Sequence, residues 1–113
     1  MTDWKQALDY NMGNLGNLVK GNGGIMKGYG ELTKAAASKG ALCDKTRELI
    51  ALAVAATTRC DGCIAVHAAE AVKAGATRDE LLETLAMAIA LNTGAATIYS
   101  SRILEAFDQF SAK

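Results

Sequence analysis

From residue 44 onward, apolar positions recur at helical spacing, and residues that start and stop helices punctuate them. Lys45 to Thr58, behind Asp44 as N-cap, predicts a helix that is apolar on nearly every face after Glu48. A helix of that kind belongs in the middle of a protein. Thr57-Thr58-Arg59 loosens it, and a second helix is predicted from about Cys60–Asp61 to Ala74, with Gly75 just past its end. Thr77-Arg78-Asp79-Glu80 has the form of a capping box, in which the threonine takes the N3 amide and Glu80 reaches back. It opens a helix through Leu91, with Leu81, Leu82, Leu85 and Ile89 on its apolar side. Asn92-Thr93-Gly94 interrupts the pattern, and Ala95 to about Phe110 forms the last helix.

Upstream of this the pattern thins. Seven of the 11 glycines fall between Gly13 and Gly30. Glycine loses the most backbone entropy on ordering, so Lys20-Gly21-Asn22-Gly23-Gly24 predicts a turn between two short N-terminal helices. The segment lacks the Gly-x4-Gly-Lys-Ser/Thr spacing of a phosphate loop, and no strand precedes it. The expected organisation is a single all-α domain over 1–113, with a glycine-rich segment at 1–30 and a core at about 30–110.

Composition supports helix over strand. Alanine occurs 22 times in 113 residues, proline never, and only six residues are aromatic. Alanine is the best helix former and proline the worst. Half of the residues are hydrophobic, more apolar surface than a small chain of Ala-rich helices hides alone, so a homo-oligomer is expected. Twelve basic residues balance 12 acidic ones, which removes the electrostatic case for nucleic acid or an anionic membrane surface. The longest apolar run, Leu49 to Ala56, is far short of the roughly 20 residues a membrane-spanning helix needs. Met1-Thr2-Asp3-Trp4 does not read as the start of a signal peptide. Three cysteines are too few for a disulfide-stapled scaffold. A cytoplasmic location is the resulting expectation, with the cysteines read as chemistry or as packing.

The chemistry concentrates in Cys60-Asp61-Gly62-Cys63, followed four residues on by His67, the only histidine in the chain. Positions i and i+4 share a helix face, so Cys63 and His67 are expected to be neighbours. Both cysteines fall in the first helical turn, where free backbone amides favour an anion and lower a thiol's pKa. A nearby imidazole can take the thiol proton, and the second sulfur can close a disulfide. Glu48 is the single carboxylate entering the apolar helix, where it needs a partner. If the two helices fold back on each other, it can reach the His67 ring, orient it and support its protonated form.

Other uses of these residues compete. Cys60, Cys63 and His67 share a face and could form part of a zinc site, with Cys43 or Glu48 as fourth ligand. They could also be inert, with the cysteines in the core and the histidine at the surface. A c-type haem site needs histidine directly after the second cysteine, where Ile64 stands. A thioredoxin-type site needs a preceding strand, and in that family a cis-proline; here a helix precedes and proline is absent. Cys43, with no partner at motif spacing, is expected to be a buried small hydrophobe.

Glu48-Leu-Ile-Ala-Leu-Ala-Val, then Cys60-x-x-Cys63-x-x-x-His67, then Ala74-Gly75-Ala76-Thr77, resembles the alkylhydroperoxidase D-like, or carboxymuconolactone decarboxylase, superfamily. The resemblance covers about residues 30 to 110. It implies an all-helical fold centred on the motif hairpin, trimers or hexamers, and thiol-dependent peroxidase or protein-disulfide reductase activity. It also implies that Glu48, Cys60, Cys63 and His67 form a proton relay, with Cys60 and Cys63 as a redox disulfide. The fuller alkylhydroperoxidase D enzymes carry a second histidine between the cysteines, where this chain has Asp61 and Gly62. The decarboxylase branch generally lacks the cysteine pair. The expected partners are therefore a hydroperoxide and a dithiol or protein electron donor, with no metal or other cofactor. A lactone decarboxylase using Glu48 and His67, or a non-enzymatic zinc or redox-sensing module, are the alternatives.

Overall fold

The computed structural model describes residues 1–38 and 40–112. Six α-helices account for most of them, and none of the described residues lies in a strand. In chain order the helices are α1 (Trp4–Gly21), α2 (Gly23–Ala36), α3 (Asp44–Thr58), α4 (Asp61–Lys73), α5 (Arg78–Leu91) and α6 (Thr93–Ser111). The all-α expectation holds, and the chain is one helical domain.

The core lies where α3, α4, α5 and α6 meet, and α1 lies across α4 and α6. Leu52, Ile64, Leu81 and Ile103 are each fully buried there, one from each central helix. Ala55 and Ala56 of α3 and Ala65, Ala68 and Ala71 of α4 are buried in the same core. Small side chains let these two helices run close together, and that closeness positions the site below.

The ends of the helices follow the local chemistry. Thr77 accepts from the Glu80 N–H at 3.1 Å while Glu80 accepts from the Thr77 N–H at 2.8 Å, a complete capping box. Gly75 ends α4 with φ +87°, in the left-handed region that costs glycine nothing. Arg59, between α3 and α4, takes φ 56°, and among the described residues no other non-glycine has a positive φ. That conformation costs an L-residue roughly 1–2 kcal/mol, and it reverses the chain directly before Cys60.

Four expectations are corrected. The N-terminal helices are not short: α1 runs 18 residues and α2 14, and Asn22 alone separates them. Packing outweighs glycine's low propensity, because Trp4 is only 1% exposed and Ala7 and Leu8 pack on the core beside it. Trp4 donates its backbone N–H to Gln109 Oε1 at 2.7 Å and its indole N–H to Glu105 Oε1 at 2.8 Å. Gln109 in turn donates to the Thr2 carbonyl at 2.7 Å. Secondly, α3 begins one residue early, with Cys43 rather than Asp44 as its N-cap. Thirdly, α3 is central but not buried all round, since Ile50 and Val54 face outward. They share one side because they stand four residues apart. The apolar side of α5 is likewise narrower than expected: Leu81, Leu85 and Ala88 are buried, and Leu82 is exposed.

Among the described helices, α2 packs on α1 alone and has no buried residue. Its Ile25, Tyr29 and Leu32 form an exposed apolar stripe. No helix among the described residues is long and apolar enough to cross a membrane.

Candidate active site

The sharp reversal at Arg59 lays the start of α4 against the end of α3. Cys60 is the N-cap of α4, in extended conformation, and its Sγ accepts the Cys63 N–H at 3.2 Å. A first-turn amide of α4 thus points at sulfur, where partial positive charge gathers at a helix start. Cys60 and Cys63, with Cα atoms 5.2 Å apart, are joined as a disulfide. Gly62 between them is not required for space, because a Cβ there would stand at ordinary contact, 3.5 Å from Asn11 Nδ2.

One turn further along α4, His67 Nδ1 lies 2.7 Å from Glu48 Oε2 on α3. The two side chains are 35% and 24% exposed respectively. An ionised carboxylate only accepts hydrogen bonds, so against it Nδ1 donates, and in the neutral ring Nε2 carries the lone pair. The ring is thereby oriented, with its proton-accepting nitrogen turned away from Glu48.

Cys60, Cys63 and His67 line one cavity of about 340 Å³, so the structure brings the three motif side chains to a single opening. Its far wall comes from the N-terminal helices: Asn11, Asn14, Leu15 and Leu18 of α1, and Tyr29 of α2. A second cavity of about 480 Å³ reaches His67 and Glu48 from the other side, past Leu42, Arg47 and Ile50. His67 therefore lines both openings, and Glu48 lines the second. The first cavity is apolar apart from two side-chain amides, a phenol and the imidazole, and carries no lysine or arginine.

Cys43 is placed differently from its expectation. It is an exposed free thiol at the start of α3, not a buried one. Its Sγ lies 3.3 Å from the Thr46 hydroxyl. Hydrogen bonds from the Thr46 side chain and backbone hold this thiol below its ordinary range. The reason is its seat: it stands ahead of the first turn of α3, where Ala41, Leu42 and Asp44 are exposed with it. Among the described residues no group of three or more His, Cys, Asp and Glu side chains is placed to hold a metal ion.

Sequence reasoning missed the cavity wall on α1 and α2, which no motif marks. It also missed Arg102 on α6, whose guanidinium bonds Asp61 of the motif at 3.1 Å. Arg102 is the sole cation in the 19 residues of α6, but Glu105 and Asp108 on the same helix offer it nearer partners in sequence, so no local signal points to Asp61.

Compared with known proteins, residues 24–106 match the sequence model of the carboxymuconolactone decarboxylase family. An uncharacterized protein of Haemophilus influenzae is 53% identical over 106 residues, which is 94% of both chains. An uncharacterized protein of Cupriavidus necator is 34% identical over 111 residues, 98% of each. Among solved structures, the apo crystal structure of a carboxymuconolactone decarboxylase family protein from Legionella pneumophila superposes with a TM-score of 0.93 at 40% identity. It spans 96% of this chain and 97% of its own.

Proposed function

The chain belongs to the carboxymuconolactone decarboxylase family, and on that premise we propose that it is a dithiol oxidoreductase of the alkylhydroperoxidase type. The observation that carries this reading is the His67–Glu48 pair at 2.7 Å beside the Cys60–Cys63 disulfide. A hydrolase or decarboxylase has no use for a vicinal sulfur pair in the same opening. A proton acceptor held next to two sulfurs suits chemistry in which a thiol is ionised, oxidised and reduced again.

The reaction runs in three balanced steps. In the reduced protein His67 Nε2 takes the Cys63 proton, with Glu48 holding the ring. The Cys63 thiolate attacks the hydroperoxide, ROOH, at the oxygen bearing hydrogen; the O–O bond breaks, and the proton held by His67 leaves with ROH. Cys63 is then a sulfenic acid. Cys60 attacks its sulfur, water departs, and the disulfide forms, which stops oxidation before the irreversible sulfinic stage. An external dithiol finally returns two electrons and two protons by thiol–disulfide exchange. With an oxidised protein as acceptor, the same pair works as a disulfide reductase. Neither route calls for a cofactor.

The test is hydroperoxide consumption with a dithiol donor, before and after alkylation of the reduced protein, with zinc measured on the same sample. Consumption that alkylation abolishes supports the reading. Lactone decarboxylation that alkylation leaves untouched, or stoichiometric zinc with no turnover, overturns it.

A further inference from the structure

Asp61 lies between the two cysteines and brings a full negative charge into the first turn of α4. Its ion-pair partner comes from 41 residues further on: Arg102, at 3.1 Å. The Arg102 guanidinium lies 5.1 Å from the Trp4 ring centroid and 5.8 Å from that of Tyr99. Trp4 is itself fixed, being 1% exposed and bonded through its indole to Glu105. A free surface arginine gives up side-chain entropy to hold an ion pair. Here two aromatic rings already hold the guanidinium, and stacking of that kind suits arginine and not lysine.

We propose that Arg102 is a positioning residue of the redox motif: by neutralising Asp61 it sets how readily the Cys60–Cys63 disulfide is reduced. The proposal rests on the dithiol reading above and extends it to regulation of the same site. The reduced protein can carry a thiolate at the start of α4, and the disulfide carries no charge. An unbalanced carboxylate one residue from Cys60 disfavours the thiolate and so favours the disulfide. An unbalanced guanidinium at the same place does the opposite. The other charged or titratable groups near the motif are Arg59, exposed directly before Cys60, His67, paired with Glu48, and Glu105, which accepts from Trp4. None of these is ion-paired with Asp61, whose partner is Arg102.

The experiment equilibrates the full-length protein with dithiothreitol at pH 8. The Cys60–Cys63 bond breaks, the cyclic disulfide of dithiothreitol forms, and two electrons pass to the protein with one proton, the second proton going to solvent where one sulfur stays a thiolate. A unit charge a few ångströms from a thiolate in partly solvated surroundings changes this equilibrium by about fivefold. Arg102→Met is expected to make the disulfide about fivefold harder to reduce, or ~20 mV more negative, since tenfold is about 30 mV for two electrons. Asp61→Asn is expected to make it about fivefold easier to reduce, and the double variant to return within about twofold of wild type. A merely structural role moves both single variants in one direction or leaves the equilibrium unmoved. Either result, with a reversible couple in the wild type, overturns the coupling and leaves the dithiol reading standing. Absence of a reversible couple in the wild type overturns both. If Arg102→Met does not fold, Asp61→Asn decides alone, because its side chain is 57% exposed and its substitution keeps the shape.

Discussion

Glu48→Gln removes one charge beside His67 and almost nothing else. The amide has the shape of the carboxylate and still offers an oxygen to His67 Nδ1, at present 2.7 Å from Glu48 Oε2. A hydrogen bond to a charged group contributes about 1.5–3 kcal/mol, against about 1 for a neutral one. With the pair 35% and 24% exposed, solvent screening places the loss at the lower end, about 1–2 kcal/mol. Each ~1.4 kcal/mol is a factor of ten in rate, so kcat/KM for hydroperoxide should fall roughly 5- to 30-fold. His67→Ala removes the proton acceptor itself and should cost about 100-fold or more. The assay is peroxide consumption with excess dithiol, beside a thermal melt that confirms each variant is folded. Turnover within twofold of wild type in both folded variants would falsify the relay, because no acid–base function would then remain for either residue.

Four further outcomes are expected. In the native oxidised protein, iodoacetamide labels Cys43 alone, and peptide mapping finds the bond between Cys60 and Cys63; a dominant bond to Cys43 contradicts the exposure of that thiol. Trp4→Ala lowers the unfolding free energy by about 3–5 kcal/mol, read from the urea midpoint; a change below about 1 kcal/mol refutes its place in the core. Glu80, held down to about 2 from 4.5 first by Lys45 and then by the Thr77 N–H, contributes stability that is present above pH 4.5 and lost as pH falls toward 2. The urea midpoints of wild type and Glu80→Gln should therefore converge over that interval, and a constant difference refutes the assignment. Light scattering at micromolar concentration gives the mass of a trimer or hexamer, which would cover Ile25, Tyr29 and Leu32; a stable monomer refutes it.

The parts legible in the sequence are those governed by neighbours. Thr77 and Glu80 cap a helix because of chemistry within four residues, and Gly75 ends one for the same reason. The approach of Glu48 to His67 was legible at one remove, since a polar residue on an apolar helix must find a partner and few were available. What escaped was decided by distant packing. The glycines of α1 argue against a long helix, yet Trp4 anchors that helix to Glu105 and Gln109 of α6, which local propensity does not register. Cys43 was misplaced because a lone cysteine resembles a core residue until the helix start beside it is fixed. Arg102 lies 41 positions from its partner, beyond the reach of any spacing rule.

The tie between Trp4 and Gln109, 105 positions apart, bears on the timing of biosynthesis. A chain made from its N-terminus exposes Cys60 and Cys63 before α6 exists, and at roughly 5–20 residues per second the interval lasts seconds. During that interval Trp4 has neither Glu105 nor Gln109, and Asp61 has no Arg102. The nascent hairpin then presents its thiols without the aromatic clamp and without the last wall of the core. The cysteines come under the control of the finished fold only when α6 closes on α1 and α4. Stalled or truncated chains lacking α6 should therefore be the ones found in mixed disulfides.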